Sequence, residues 1–399
     1  MDHAHPILFV VAAAALAPWL SSHTRSLRVP VAVFEIILGV ILGPQVLGWV
    51  EFEGGLPYLS TIGMAFLFFL AGVEIDLGKM RGAPLRLASL GWLISLGLAF
   101  VVAFALAQVG GSHAWTLVAV ALSTMALGIV VPVLRDAELL ETELGKFTMA
   151  VGALGEIGPI VLMSLLLSRE HGVGVQLGLV VAFILVVVGV FWASLRVRPP
   201  GLIGLLARTM TKSGQLPIRV SMLLLAALVV LAEEFGLDLA LGAFAAGMAV
   251  GLAARDSHNE VLHHKFDAVG FGFLVPIFFV CSGLKLDVRA LTQSASGLLM
   301  LVVYALLLLV VRGLPAWLFR KHLAGKQVQA LGFYSATSLS LIVAITGTAV
   351  NQGMMASDSA AALVGGGLLS VLIYPVIATR LARIEPSAGA PAPAESVSH

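Results

Sequence analysis

The sequence predicts an all-α polytopic membrane protein with about thirteen transmembrane helices, an inverted-topology repeat and two irregular helices. Of its 399 residues, 59% are hydrophobic and only 11% are charged, whereas soluble domains carry about 25% charged residues. The apolar residues fall into segments of roughly 17–27 residues, the length that spans a bilayer. Segments that lie seven spans apart also resemble each other, which predicts the repeat.

Thirteen apolar segments follow one another along the chain, and the ninth is the shortest. They are predicted at about 6–22, 29–50, 57–76, 83–108, 113–135, 146–168, 174–195, 217–235, 239–254, 268–284, 295–319, 327–350 and 358–382. Cys281, the only cysteine, lies in the tenth span, so no intrachain disulfide can form. Residues 1–382 are therefore predicted as one transmembrane unit, and residues 383–399, rich in Pro, Ala and Ser, as a disordered cytoplasmic tail.

The basic residues predict the orientation of the chain in a cell membrane. If the N-terminus is outside, 19 of the 23 Lys and Arg residues lie in inner loops or in the tail. Arg169, Lys285 and Arg289 lie outside, and Arg312 lies within a span. This asymmetry predicts an external N-terminus and a cytoplasmic C-terminus. It also explains the basic residues without any nucleic-acid partner.

Three pairs of segments carry the predicted repeat. FFLAGVEIDL at 68–77 aligns with FVCSGLKLDV at 279–288, LGVILGP at 38–44 with LGAFAAG at 241–247, and the hydroxyl pair of the fifth span with that of the twelfth. Each pair is seven spans apart, and an odd separation reverses the direction of the copy through the membrane. Inverted repeats of this kind are typical of secondary transporters.

Glu156 is the most unusual residue of the chain, because it lies near the middle of an otherwise apolar span. It stands about ten residues from each end of MAVGALGEIGPIVLMSLLLS, which places it ~15 Å deep. A carboxylate at that depth costs roughly 2.5–3.5 kcal/mol and needs a proton, a cation or a charged partner. Pro159 frees the carbonyl of Gly155 from its helical hydrogen bond. The carboxylate and this carbonyl are predicted to suit a monovalent cation.

Arg312 is the one basic residue inside a span, and its charge is permanent. The threading of the sixth and eleventh spans gives it a depth compatible with contact to Glu156, so Arg312 is a candidate charge partner. The alternative is an arginine that caps the carbonyls of a broken helix.

The fifth and twelfth spans are predicted to be irregular at mid-membrane. Ser123 and Thr124 precede Pro132, which frees the carbonyl of Gly128, and the twelfth span contains Thr337 and Ser338 in SATSLSL. Irregular helices occur at this depth where they line a cavity or are buried in protein. The hydroxyls are candidate ion ligands; alternatively they bond back to carbonyls of their own helices.

These motifs together resemble the second family of monovalent cation–proton antiporters, which includes bacterial sodium–proton antiporters and glutathione-gated potassium efflux systems. The resemblance covers about residues 7–382. Its carriers are EIILGVILGP, FLFFLAGVEIDL, ALSTMALGIVVPVL, GALGEIGPI, LGAFAAGM and FLVPIFFVCSGLKLDV, in this order and spacing.

The resemblance implies the sodium–proton antiporter fold, in which the fifth and twelfth spans are broken helices that cross at mid-membrane. It also implies a homodimer that works by an elevator-like movement. Core helices would cover about 83–168 and 295–382, and dimerisation helices about 6–76 and 174–284. It places the family's ion-binding acid at Glu156 and its conserved basic residue at Arg312. Electrogenic relatives carry a second acid at the position of Gly155, and Glu replaces the usual Asp at 156, which leaves stoichiometry and cation choice open.

The resulting hypothesis is electroneutral exchange of Na⁺, or alternatively K⁺, for H⁺ at Glu156. Burial disfavours the charged carboxylate and a nearby arginine favours it, so that proton and cation compete. The alternatives are a cation channel or gated leak, and a non-transporting sensor of the same fold. No enzyme is expected, since the spans contain no nucleophile–base constellation, and neither a cofactor nor a nucleotide-binding domain is expected.

Overall fold

The structure is a computed structural model that describes residues 4–23, 30–74, 82–108, 114–166, 173–196, 215–253, 259–286, 289 and 295–383. Within these ranges all regular secondary structure is helical. The predicted tail lies almost entirely outside the described residues, as do Asp76 and Asp287 of the aligned repeat segments.

Thirteen helical elements follow one another in the described ranges, and two of them are broken into two pieces. They are α1 (Ala4–His23), α2 (Val31–Leu42), α3 (Leu56–Glu74), α4 (Ala83–Gln108), α5 (Trp115–Leu122 and Leu127–Asp136), α6 (Glu143–Leu166), α7 (Val173–Arg196), α8 (Leu216–Glu234), α9 (Leu239–Ala253), α10 (Asn259–Val269, a π-helical turn Gly270–Leu274, and Val275–Lys285), α11 (Ala295–Gly313, continued by a 3₁₀ stretch Leu314–Lys321), α12 (Gly325–Ala336 and Ser340–Asn351) and α13 (Ser357–Arg383). Ten of these elements are long and apolar enough to cross a membrane, and α2, α9 and the stretch Leu177–Gly189 of α7 are shorter apolar helices. The predicted all-α polytopic fold is confirmed, with thirteen helices in the described ranges where about thirteen spans were expected.

Two of the predicted boundaries differ clearly from the structure. The second span was expected to reach residue 50, but α2 ends at Leu42. Pro44 disfavours helical backbone at the residue before it, and a turn follows instead. The tenth span was expected to begin at 268, whereas its helix begins at Asn259. Its first turns carry charged and histidine side chains, so hydropathy alone does not reveal them.

The helices pack in two groups. The crossing bundle consists of α4, α5, α6, α11, α12 and α13, and the scaffold bundle consists of α1, α2, α3, α8, α9 and α10. The helix α7 contacts α6 and α9 and so touches both groups. Glu156 lies in the crossing bundle, on a helix that runs between the two broken ones.

Helix crossings of matching geometry in the scaffold bundle support the inverted repeat. A β-carbon added to Gly72 of α3 would lie 2.8 Å from the backbone nitrogen of Met248 in α9. One added to Gly283 of α10 would lie 2.9 Å from the backbone nitrogen of Val40 in α2. The two crossings therefore use the residues that the sequence alignment had already paired, Gly72 and Gly283.

The same crossings correct the predicted register of the second and ninth spans. The sequence alignment paired Gly39 with Gly242. In the structure, a β-carbon on Gly39 would lie 3.0 Å from Cα of Gly283, and one on Gly247 would lie 3.0 Å from Cα of Gly72. Gly39 therefore corresponds to Gly247. Several glycines recur in each span, so letter matching alone cannot choose between these registers.

The two broken helices cross at their interruptions, as predicted. The backbone N–H of Ala126, in the break of α5, donates to the carbonyl of Thr337, in the break of α12, over 2.8 Å. The hydroxyls of Thr124 and Ser338 are hydrogen-bonded to each other at the same place. The breaks thus satisfy part of their polar backbone with each other, which buried irregular backbone requires.

Candidate functional site

Glu156 lies in the interior of the protein beside the interruption of α5. Its side chain is only 5% exposed. One carboxylate oxygen, Oε1, accepts a hydrogen bond of 2.9 Å from the backbone N–H of Leu127, the first residue of the second piece of α5. The other oxygen, Oε2, is buried and has no hydrogen-bond partner. The carboxylate is therefore oriented by one oxygen while the second oxygen can take a proton or a cation.

The carbonyl of Gly155 does not have the role that the sequence predicted for it. Pro159 is buried within a helix that stays continuous from Glu143 to Leu166, and the carbonyl of Gly155 does lose its helical donor. However, the backbone N–H of Met125, in the break of α5, donates to that carbonyl over 3.1 Å. The freed carbonyl therefore fixes the broken helix against α6 instead of standing open beside the carboxylate.

Arg312 is buried, with 2% of its side chain exposed, and it binds backbone carbonyls. Nε donates to the carbonyl of Ser335 at 3.2 Å, and Nη2 donates to the carbonyl of Val151 at 3.3 Å. No ion pair within 4.0 Å joins Arg312 to Glu156, although the structure describes both side chains. The predicted direct partnership is absent here, and the alternative, an arginine that caps carbonyls near a broken helix, describes its contacts.

The physical reason is that Arg312 occupies the space beside Gly155. A β-carbon on Gly155 would lie 2.7 Å from Nη2 of Arg312 and 2.9 Å from Cβ of Met125. Successive residues of an α-helix point about 100° apart, so a group that packs over Gly155 does not face the side chain of Glu156. The guanidinium of Arg312 can therefore lie at the centre of the bundle because Gly155 has no side chain.

The hydroxyls of the breaks bond mainly to their own helices. Ser123 Oγ donates to the carbonyl of Val120 at 2.8 Å, and Thr337 Oγ1 donates to the carbonyl of Phe333 at 3.0 Å. Thr124 Oγ1 likewise bonds to the carbonyl of Ala121, besides its bond to Ser338. These contacts match the alternative reading of the hydroxyls, in which they satisfy local carbonyls.

Ser370 of α13 is a site residue that the sequence reasoning missed. Its hydroxyl accepts a hydrogen bond of 3.0 Å from the backbone N–H of Ser338, in the break of α12. Ser370 stands 214 positions after Glu156, the separation that also relates Thr124 to Ser338. At corresponding positions of the two repeat halves, a side-chain oxygen therefore accepts a hydrogen bond from a backbone N–H at the break of a helix. In the first half this oxygen belongs to the carboxylate of Glu156, and in the second half to the hydroxyl of Ser370. The separation of the two repeat halves, applied to Glu156, would have identified Ser370 from the sequence.

Glu74, the last residue of α3, is a second acid close to the site. It lies within electrostatic range of Glu156, and its oxygen Oε2 is buried without a hydrogen-bond partner. Arg135 and Asp267 are its charged neighbours. The sequence places Glu74 near a span end, so its proximity to Glu156 follows only from the packing of the scaffold bundle on the crossing bundle.

Gly128 adjoins the carboxylate of Glu156, whereas Glu35, another buried acid, lies in the scaffold bundle. Gly128 follows Leu127 in the first turn of the second piece of α5, and its backbone N–H also faces the carboxylate of Glu156. A β-carbon on Gly128 would lie 4.0 Å from the ring of Phe271. Glu35 is buried, at 4% exposure, in α2 of the scaffold bundle. It therefore lies on a helix that does not belong to the crossing.

The sequence matches the family described as sodium/hydrogen exchanger, transmembrane, over residues 11–383. The chain belongs to this family. The resemblance to cation–proton antiporters that the motifs indicated is thereby confirmed, and membership places this exchanger-family protein among membrane transporters.

Several relatives of this exchanger-family protein bear matching names. The chain is 28% identical over 95% of its length to the putative Na⁺/H⁺ antiporter YjbQ of Bacillus subtilis, of which it spans 63%. It is 26% identical over 87% of its length to the Na⁺/H⁺-K⁺ antiporter GerN of Bacillus cereus, of which it covers 88%. An Na⁺/H⁺ antiporter of Enterococcus hirae is 26% identical, with 91% of this chain and 94% of the relative covered.

A solved structure has the same fold. The sodium proton antiporter MjNhaP1 from Methanocaldococcus jannaschii superposes with a TM-score of 0.68, covering 96% of this chain and 98% of that one. The sequence identity is 16%. The exchanger-family protein therefore has the antiporter fold that the sequence predicted.

Proposed function

We propose that this protein exchanges a monovalent cation for H⁺, with Na⁺ favoured and K⁺ as the alternative, and that both ions bind in turn at Glu156. The observation that carries the proposal is the buried carboxylate of Glu156, with Oε1 held by Leu127 and Oε2 free of hydrogen bonds. Membership of the sodium/hydrogen exchanger family and the names of the relatives support it.

Competition between the ions follows from the cost of a charge in the membrane. An ionised carboxylate at this depth is unstable unless a proton or a cation neutralises it. Glu156 has no ion pair with Arg312, so the neutralising species must come from solution. A proton and a cation cannot both occupy the same free oxygen, and binding of one therefore releases the other.

Glu74 is proposed to attract cations toward this carboxylate. It comes from the scaffold bundle, whereas Glu156 comes from the crossing bundle, and the two acids are electrostatically coupled. An acid that faces the site from the other bundle raises the local cation concentration on its side of the membrane. The attraction that Glu74 exerts on a cation near Glu156 changes when the two bundles move relative to each other.

The exchange is proposed to be electroneutral, with one cation per proton. Gly155 supplies no second acid next to Glu156, and the space is filled by the permanent charge of Arg312. Only one carboxylate of the crossing bundle therefore changes its occupant during a cycle.

Alternating access is proposed to follow from movement of the crossing bundle against the scaffold bundle. The crossing bundle would be the core domain, at about 83–168 and 295–382, and α1–α3 with α7–α10 would form the dimerisation domain of a homodimer. The protein would lie in the cell membrane with its N-terminus outside and its C-terminus in the cytoplasm. The separate packing of the two bundles supports this division.

Cation-dependent proton flux in everted vesicles tests the assignment of Glu156. Glu156→Gln is expected to abolish exchange of Na⁺ and K⁺ for H⁺, because a neutral amide can neither release a proton nor neutralise a cation. Glu35→Gln is the matched control, since Glu35 is equally buried but lies in α2, and it is expected to retain exchange. Exchange by Glu156→Gln at the wild-type rate would refute the assignment.

The same vesicles distinguish the other two functions. A channel or gated leak would pass cations without saturation and without coupled proton movement, whereas the proposed exchange saturates and moves one proton per cation. A sensor of the same fold would move neither ion.

A further inference from the structure

A cavity of about 500 Å³ lies between the two bundles, at the membrane face where α3 begins and α10 ends. On the crossing-bundle side it is lined by the second piece of α12, from Val343 to Asn351, and by the start of α13. It therefore extends from the end of α12 to within about two turns of the crossing. Glu156 does not line it. We call this side of the membrane the Lys285 face, and the opposite side the Glu74 face.

Lys285 is the single charged side chain among the described residues that line this cavity. Its Nζ lies over the ring of Phe52, 4.7 Å from the ring centroid. The same atom lies 4.0 Å from the position that a β-carbon on Gly347 of α12 would occupy. Lys285 comes from the scaffold bundle, so its positive charge faces the crossing bundle across the gap.

The inverted repeat places Lys285 and Glu74 at corresponding positions. Lys285 stands two residues after Gly283 in α10, and Glu74 stands two residues after Gly72 in α3. The two glycines occupy matching crossings of the scaffold bundle. The repeat therefore puts an acid beside the site at one membrane face and a base in the cavity at the other.

We propose that Lys285 is an affinity-determining residue that weakens cation binding from its own face, so that the exchanger takes up cations more readily from the Glu74 face. This inference rests on the proposed exchange function. Fixed charges in a cleft with low-dielectric walls change the local concentration of mobile ions. A positive charge in the Lys285 cavity lowers the cation concentration there, whereas the repeat places an acid, Glu74, at the corresponding position on the opposite side.

Initial exchange rates measured from each face of oriented proteoliposomes test this inference. At low ionic strength, Lys285→Gln is expected to lower the KM for Na⁺ about fivefold from the Lys285 face, the order expected for one charge acting over several ångströms in a wet cleft. The KM from the Glu74 face and the maximal rate stay at their wild-type values. The effect should shrink as an inert salt is added, because salt screens exposed charges.

Two variants serve as controls. Lys285→Arg keeps the charge and is expected to keep the wild-type KM. Arg289→Gln removes a charge from the same face, but Arg289 does not line the cavity and its guanidinium binds the carbonyl of Gln45, so its effect on KM should be smaller. An unchanged KM for Lys285→Gln at the Lys285 face would overturn the inference. Equal KM changes at both faces would also overturn it, since they would indicate a shift in bundle position.

A second measurement does not depend on exchange, and so it separates failure of this inference from failure of the proposed function. Thr348 lines the cavity next to Gly347, and Thr348→Cys can be labelled in a Cys281→Ser background. Each rate is divided by the rate of the same reagent with a small free thiol. On this scale an anionic methanethiosulfonate should react several times faster than a cationic one of similar size, and adding Lys285→Gln should remove this preference. Equal normalised rates while Lys285 is present would show that Lys285 does not repel cations from the cavity, whether or not the protein exchanges ions.

Discussion

At the scale of single residues, Gly155 determines where the buried arginine can lie. The guanidinium of Arg312 occupies the volume that any side chain at position 155 would need, and it is held there by the carbonyls of Ser335 and Val151. A buried cation without such bonds would cost several kcal/mol. The glycine is therefore as necessary to the centre of the bundle as the arginine itself.

The variant Gly155→Ala tests this relation. Its methyl group would lie 2.7 Å from Nη2 of Arg312, so the arginine must move and lengthen its bonds to the two carbonyls. We expect a loss of about 1–3 kcal/mol of stability, the usual cost of overpacking, seen as a lower apparent melting temperature in detergent.

Gly97→Ala provides the matched control, because a β-carbon on Gly97 of α4 would meet no atom within 4 Å. It should leave the melting temperature unchanged or slightly higher, since alanine favours the helix. Equal melting temperatures for Gly155→Ala and Gly97→Ala would contradict the account of Arg312.

The sequence predicted the unusual residues of this region but not their contacts. Burial of Glu156 and Arg312 followed from hydropathy alone, because charges inside apolar spans are costly. The absence of an ion pair between Glu156 and Arg312 could not be predicted in this way, because it depends on the direction in which each side chain leaves its helix. The bond from Met125 to the carbonyl of Gly155 was equally invisible, since it requires the break of α5 to lie against α6.

At the scale of helices, paired crossings of α3 with α9 and of α2 with α10 hold the scaffold bundle together. Each crossing depends on a glycine whose missing side chain lets two backbones approach closely. Because the repeat relates Gly72 to Gly283, the two crossings should respond alike to the same change.

Alanine substitutions at the two crossings test this equivalence. In Gly72→Ala and Gly283→Ala the added methyl groups would lie 2.8 and 2.9 Å from backbone nitrogens of the facing helices, so the helices must separate. Both variants should lower the apparent melting temperature by similar amounts, corresponding to about 1–3 kcal/mol each. Gly178→Ala in α7, where a β-carbon meets nothing within 4 Å, is the control.

A large decrease in melting temperature for Gly72→Ala with none for Gly283→Ala would show that the crossings are not equivalent. The sequence found this pair correctly because Phe68 and Phe279 fix the alignment around it. The sequence alignment of α2 with α9 was wrong in register, because it paired Gly39 with Gly242. Glycines recur within both spans, and only the contacts in the structure identify Gly247 as the equivalent of Gly39.

At the scale of the whole molecule, the number and order of the spans followed almost completely from hydropathy and length. The relation of the two bundles did not, and it is this relation that brings Glu74 from a span end to the vicinity of Glu156. Long-range packing between helices far apart in sequence leaves no periodic signal in either helix.

Electroneutral exchange is a property of the whole transport cycle and has its own test. In the proposed cycle one carboxylate changes its occupant and Arg312 keeps its charge, so that no net charge would cross the membrane. The initial rate of Na⁺-driven proton flux in proteoliposomes should therefore not change when a potassium–valinomycin potential of either sign is imposed. A rate that rises with one sign and falls with the other would contradict the proposed stoichiometry.

Proton release on cation binding shows whether Glu156 carries the cation and the proton in turn. Purified protein in weakly buffered detergent solution is titrated with NaCl, and with choline chloride as the control, while the pH is recorded. If Glu156 carries both ions, the wild type releases one proton per Na⁺ bound in a saturable manner, and Glu156→Gln releases none. Saturable Na⁺ binding without proton release, or undiminished release by Glu156→Gln, would contradict it.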